Sequence, residues 1–211
     1  LRDLASAYRE RFRIPFIQIT GSVGKTTTKE MLSAVLGIKL RVHKTPENYN
    51  NDIGTPLTLL DLAPEHQAAV IATGMDAFGQ IRYLGQAIRP DVAVITIVDD
   101  VHLSHFGSRE DILRAKAEIF ENLRPGGLAV LNGDDELLNT LHPDCETVRC
   151  GWSPGNSVRI EDLEDLGLEG VRCTIATERD RYPLVIPAPG VHMAELAALA
   201  VAAAERLGLT K

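Results

Sequence analysis

Residues Ile14 to Leu36, IPFIQITGSVGKTTTKEMLSAVL, constrain the fold of this chain more than any other stretch. An apolar run (Ile14, Phe16, Ile17, Ile19) leads into Gly21-Ser22-Val23-Gly24-Lys25-Thr26. Behind it Met31, Leu32, Val35 and Leu36 recur at helical spacing, with Gly37 as a stop. Strand, glycine loop and helix in that order make a phosphate-binding loop. The glycines let backbone N–H groups close around phosphate oxygens, and the helix N-terminus adds a partial positive charge. Lys25 is then expected to reach the β/γ-phosphates and the Thr26 hydroxyl to ligate Mg²⁺. The loop is shorter than the general pattern, which has a glycine five residues before Gly24, where Ile19 stands. A plain glycine turn explains the glycines but not Gly-Lys-Thr-Thr-Thr at the helix start.

A chain of 211 residues with 45% hydrophobic side chains can bury the core of one α/β domain, with or without a small appended subdomain. Charged residues at 24% argue against wholesale disorder. The net charge of −7 argues against a nucleic-acid binder with a broad basic face, but not against binding a nucleotide, which needs only a local positive loop. Cys145, Cys150 and Cys173 are odd in number and lack C-x-x-C spacing, so they read as the reduced thiols of a cytoplasmic protein. No apolar run approaches the roughly 18 residues of a membrane span, and the N-terminus has no signal-peptide layout. Small-molecule partners, with neither nucleic acid nor membrane, and a monomeric state are expected. The chain opens on Leu1 rather than Met, as a piece of a longer protein would.

Taken in order, residues 1–13 read as an amphipathic helix with Leu4, Ala5, Tyr8 and Phe12 on one face. The phosphate-loop unit follows, then a strand over Ile38 to His43. The polar stretch Thr45 to Pro56 (TPENYNNDIGTP) reads as a loop, and Leu57 to Leu62 as an apolar helical turn. Strands are predicted over Gln67 to Thr73, Asp91 to Val98 and Leu128 to Asn132, with a helix over Phe78 to Ile88. Asp91 to Val98 is apolar nearly throughout, as in a parallel sheet covered on both faces. Ser108 and Asp111 form a capping-box-like start for a helix carrying Ile112, Ala115, Ile119 and Leu123, and Asp134 to Leu141 reads as a short helix. The alternation implies a three-layer α/β domain built on a mainly parallel, right-handed sheet, of the P-loop NTPase type. From about 146 to 189 the texture changes to short alternating runs between glycines, prolines and charges, which predicts an antiparallel β extension of the main sheet. Val191 to Leu207 closes the chain as an Ala-rich helix.

Several long motifs in order carry a family resemblance. They are ITGSVGKTTTKEML, TPENYNNDIGTPLTLL, GM-x-x-FGQI at Gly74–Ile81, VHLSHFGSREDILRAKAEIF at Val101–Phe120, VLNGDDELL at Val130–Leu138, and PGVHM at Pro189–Met193. With them the chain resembles, nearly end to end, the central ATPase domain of the Mur ligases. Within the family it looks like the MurF type, which adds D-alanyl-D-alanine to a UDP-MurNAc-tripeptide. The resemblance implies the Mur ligase central-domain fold and a role in peptidoglycan precursor synthesis. It also implies ATP and Mg²⁺ as cofactors and a carboxylate phosphorylated to an acyl phosphate that an amine attacks. Gly21, Ser22, Gly24, Lys25, Thr26 and Thr27 are then expected to hold the triphosphate, with one Mg²⁺ on Thr26. Asn50 and Asn51 match amides near the substrate and γ-phosphate, and Asn132 and Asp135 match residues around adenine and ribose. His102 matches a metal-site histidine. Lys116 matches a lysine that is carbamylated in many members and faces the second metal. Lys25, Lys116 and His102 are the expected catalytic residues. Each also has a plainer reading: His102 and His105 as loop histidines, Lys116 as a snorkelling lysine, Asn132 as a turn residue before Gly133.

Three positions depart from the family pattern. Ala72 stands where a glutamate binds the second Mg²⁺, Ile97 where an asparagine follows threonine, and Leu196 where the last helix has an asparagine. An alanine cannot ligate a metal. Asp76 and Asp99-Asp100 are the carboxylates nearest the gap in sequence. The family's N-terminal UDP-substrate domain and C-terminal lid domain are also expected to be absent, with the phosphate loop preceded by only twenty residues. Unaided ligase activity is therefore not expected. The alternative reading is a catalytically inactive scaffold, diverged or engineered, that keeps the fold.

Overall fold

The computed structural model describes residues 1–100 and 106–210. Nine strands form one sheet: β1 (Phe16–Thr20), β2 (Val42–Lys44), β3 (Ala68–Ala72), β4 (Val92–Ile95), β5 (Leu128–Asn132), β6 (Glu146–Gly151), β7 (Val158–Asp165), β8 (Val171–Ala176) and β9 (Arg181–Ile186). Their spatial order is β2-β3-β1-β4-β5-β6-β7-β8-β9. Pairs from β2 through to β7 are parallel, whereas β7–β8 and β8–β9 are antiparallel. The helices are α1 (Arg2–Arg9), α2 (Lys25–Gly37), α3 (Gly54–Leu60), α4 (Gln80–Ile88), α5 (Arg109–Ala117) and α6 (His192–Arg206).

The three expected layers form because the central strands are apolar on both faces, and successive side chains point to opposite sides. Ile17, Ile19, Val70, Val94 and Val130 meet Leu32 and Leu36 of α2 and Leu199 and Ala203 of α6. On the other face Phe16, Ala69 and Ile71 pack with Ala5, Leu59, Leu84 and Ile88 of α1, α3 and α4. Ala93, Ile95 and Leu131 pack there with Ile112 and Ala115 of α5.

Several predicted boundaries move, each for a local reason. The strand expected over Ile38 to His43 is only Val42–Lys44. Beyond α2 the chain keeps turning, with Lys39 and Leu40 N–H both donating to the Leu36 carbonyl, which leaves Ile38 on the surface. The short helix expected over Asp134 to Leu141 is a turn ending in a 3₁₀ stretch, Leu138–Thr140, because the Asp135 carboxylate accepts the Leu137 and Leu138 N–H groups. The Ser108 start behaves as predicted: its hydroxyl accepts from Asp111 N–H at 3.1 Å. The antiparallel extension begins later than about residue 146. Glu146–Gly151 is instead a parallel strand against β5, and only β7, β8 and β9 form the antiparallel meander.

Candidate functional site

The phosphate-loop stretch lies at a topological switch point. β1 sits between β3 and β4, and the connections after β1 and after β4 pack on opposite faces of the sheet through α2 and α5. Ligands of open α/β sheets bind at such a crevice, beyond the carboxyl ends of the strands. Neighbouring chain holds the loop on both sides. Ser22 N–H donates to the Ile97 carbonyl (2.8 Å), and the Ser22 hydroxyl donates to the Asp99 carbonyl while accepting Asp99 N–H (3.1 and 3.0 Å). The Thr96 hydroxyl donates to the Val23 carbonyl.

Two glycines are required by geometry. At Gly21 (φ +152°) a Cβ would stand 1.9 Å from Thr96 Oγ1. Gly24 takes the left-handed conformation (φ +87°) at the N-terminus of α2, and a Cβ there would stand 2.8 Å from Leu196 Cδ2. Leu196, one of the departures from the family pattern, thus packs directly against the loop. The first N–H groups of an α-helix have no partners inside the helix, which makes the N-terminus of α2, beside the loop, suited to an anion.

A cavity of about 350 Å³ opens beside the loop on its β3 side, and Gly21, Lys25, Asn50, Asn51 and Lys116 all line it. The Lys25 ammonium donates to the Gly21 and Ser22 carbonyls (2.7 and 3.1 Å), and burial lowers its pKa. Lys116, on α5, is 2% exposed, and its pKa is pushed down to about 7, by burial first and by the nearby Lys25 cation second. Its buried position excludes the plainer picture of a lysine snorkelling to water. Asn50 is held by its backbone, its carbonyl accepting Gly74 N–H at 2.7 Å. Asn51 Oδ1 accepts Gly54 and Ile53 N–H (2.8 and 3.2 Å) at the start of α3.

Sequence reasoning missed Lys29. It is 1% exposed, and its ammonium donates to the Thr45 and Glu47 carbonyls (2.7 and 3.1 Å) and pairs with Glu30 at 3.0 Å. Thr45 in turn accepts Ala72 N–H on its hydroxyl (2.9 Å). One helical turn after Lys25, Lys29 ties α2 to the segment that carries Asn50 and Asn51. A signal was present: Lys29 precedes Leu32 and Leu36 by three and seven residues, a position on the buried stripe where periodicity calls for an apolar side chain.

The remaining expected residues divide. Thr26 is exposed and Thr27 half-buried at the start of α2. Asn132 and Asp135 lie at the end of β5, on the β4 side of the loop and outside the cavity. Asn132 Oδ1 accepts Asp134 N–H (2.9 Å), and Asp135 Oδ2 accepts Val98 N–H (2.7 Å), so the Asp135 carboxylate is spent on backbone. His102 and His105 lie outside the described residues.

The residues fit one cation better than two. Thr26 offers an open hydroxyl at the helix start, where Mg²⁺ shared with phosphate oxygens needs few protein ligands. Among the described residues no group of three His, Cys, Asp or Glu is placed to hold a metal. Ala72, 3% exposed at the end of β3, offers only a methyl. Asp76 and Asp52 line the cavity; Asp99 and Asp100 do not.

Comparison with known proteins agrees with this architecture. The Mur ligase middle domain description matches residues 19–204. A UDP-N-acetylmuramoyl-tripeptide–D-alanyl-D-alanine ligase of Bacillus subtilis is 39% identical over 209 residues, covering 99% of this chain and 45% of the relative. A crystal structure of MurF from Acinetobacter baumannii superposes with a TM-score of 0.94 at 32% identity, over 99% of this chain and 46% of that one. MurF from Thermotoga maritima, solved in complex with ADP, gives a TM-score of 0.90 at 28% identity, over 99% and 49%. The chain therefore spans about half the length of the relatives it matches. A domain match over most of the sequence, with the same fold and an intact phosphate loop at the switch point, places this chain in the Mur ligase family, as its middle domain.

Proposed function

We propose that the chain is the ATP-binding central domain of a MurF-type amide ligase acting in peptidoglycan precursor synthesis. The observation that carries this reading is the single cavity in which Lys25, Asn50, Asn51 and Lys116 meet beside a phosphate loop. In this proposal the α2 N-terminus and Lys25 bind the triphosphate of ATP and draw charge from its terminal phosphoryl group. Thr26 holds Mg²⁺, which supplies charge neutralisation at the phosphates. Asn50 and Asn51 orient the carboxylate of a UDP-MurNAc-tripeptide. Its oxygen bonds to the γ-phosphorus while the bond to the ADP oxygen breaks. The amine of D-alanyl-D-alanine then attacks the acyl carbon, phosphate leaves, and the amine gives up a proton. Asn132 and Asp135 are assigned to the adenosine side and His102 to the metal site.

Lys116 is the residue to be modified. With a pKa near 7 a good share of it is the free amine at neutral pH, the form whose nitrogen adds CO₂ and gives up a proton to water to leave a carbamate. That would exchange a cation beside Lys25 for an anion, in a site where Ala72 provides none.

Calorimetric titration of ATP, with and without Mg²⁺, tests the reading. Micromolar, magnesium-enhanced binding that is lost in Lys25→Ala is the expected result, and equal affinity in that variant would sink it. Ala72, and Leu196 packed on Gly24, favour a second reading, an inactive scaffold. ATP turnover well above the Lys25→Ala level would dispose of it.

A further inference from the structure

A second cavity, of about 590 Å³, lies at the opposite end of the sheet from the phosphate loop, where the parallel strands begin. The end of α1, the Arg89-Pro90-Asp91 turn into β4, the Pro125-Gly126-Gly127 turn into β5 and the end of α6 enclose it. Five arginines line it, Arg9, Arg13, Arg89, Arg124 and Arg206, against two carboxylates, Glu10 and Asp91. Three positive charges in surplus at one place stand out in a chain of net charge −7.

The arginines differ in how far their neighbours satisfy them. Arg9 is 6% exposed and forms the floor. It donates to the Ile88 and Arg89 carbonyls (2.7 and 3.1 Å), and its guanidinium lies 3.9 Å over the Phe16 ring. Its pKa is lowered to about 10, by burial first and then, among the charges, by the Arg124 and Arg89 cations, which outweigh Asp91 and Glu10. Arg89 pairs with Glu10 (2.7 Å), Arg124 with Asp91 (3.3 Å), and Arg206 with Glu146 (3.2 Å). Their side chains are between about a third and a half exposed, and ion pairs so open to water are weak, so an anion can compete for them. Arg13 is exposed and makes no hydrogen bond or ion pair among the described residues. A helix-end role accounts for Arg9, which donates to the carbonyls at the C-terminus of α4, for Arg89, which caps α4, and for Arg206, in the last turn of α6, but not for Arg13 and Arg124.

We infer that this cavity is a binding site for a small oxyanion carrying two or more negative charges, recognised by the forked N–H groups of Arg13, Arg89 and Arg124 over a floor made by Arg9. Guanidinium groups suit this ligand class because each can hold two oxygens of one phosphate or carboxylate at once. The ligand can come from either source, a diphosphate or a polycarboxylate. The site is independent of the nucleotide loop and of the proposed ligase chemistry.

Calorimetry on the 211-residue chain tests this, with inorganic pyrophosphate and citrate as separate probes. The Lys25→Ala background silences the phosphate loop. One pyrophosphate or one citrate per chain is expected to bind that variant, and whichever probe binds more tightly identifies the source. Adding Arg13→Gln and Arg124→Gln should weaken binding by about tenfold or more, because two charge-assisted contacts are lost. In the Lys25-intact chain the same pair of changes should leave ATP affinity within about twofold, since the loop lies at the far end of the strands. Arg13→Gln alone removes no contact, so a weakened response there is not a folding defect. Absence of binding by both probes at millimolar concentration overturns the inference. So does affinity that vanishes with Lys25→Ala or is untouched by the two arginine changes.

Discussion

Lys116 shares one cavity with Lys25, and its pKa falls to about 7, by burial first and by the neighbouring cation second. An unfolded chain keeps the ordinary lysine value. Above about pH 7 the unfolded state therefore binds a proton that the folded state has released, and folding becomes more favourable as pH rises towards the ordinary lysine range, by at most about 1.4 kcal/mol per pH unit. Urea midpoints at about pH 7 and about pH 9 should show this gain, and Lys116→Met should flatten it. Lys29 carries a different burden. Lys29→Met leaves the buried Thr45 carbonyl and the Glu47 carbonyl without their donor, at a cost of about 2–4 kcal/mol. Amide exchange at Gly74, whose N–H reports docking of Asn50, should quicken in the same variant. At this scale the sequence shows which side chains can bind phosphate, because Gly-Lys-Thr chemistry is local. It does not show how Asp135 is used, since its partner Val98 N–H comes from another strand connection.

At the scale of elements, α2 combines two glycines with opposite requirements. Gly24 is left-handed and pressed by Leu196, so Gly24→Ala should destabilise the chain by about 1–3 kcal/mol and distort the loop. Gly37, the last residue of the same helix, has open space around its Cα, and Gly37→Ala should stabilise by about 0.4–1 kcal/mol. Thermal unfolding of the two variants beside the parent chain checks both signs. The apolar runs of β1, β3, β4 and β5 are legible as strands because they are buried on both faces. β6 is harder to read. Only its last two residues are buried, and its parallel partner is chosen by the connection that delivers it rather than by its own pattern. The same holds for the start of β2, where one further turn after α2 takes residues that look like strand.

For the molecule as a whole, the phosphate loop hangs between β1, α2 and the end of β4, so a ligand held there is coupled to the central sheet. ATP at about a hundred times its dissociation constant should raise the unfolding free energy by about 2.7 kcal/mol, and Lys25→Ala should abolish the shift in melting temperature. The three-layer fold, the mainly parallel sheet and membership of the Mur ligase family all follow from features written along the chain: apolar strands, a glycine loop at a helix start, and long motifs in order. These signals are local, each decided by residues within one element and the turn beside it. Tertiary structure alone decided that Leu196 would sit on Gly24, that Lys116 would lose water beside Lys25, that Lys29 would tie α2 to the Asn50 segment, and that five arginines would gather where the strands begin. Each joins residues separated along the sequence. Burial, like-charge repulsion and close packing act on distance in space, which no spacing along the chain encodes.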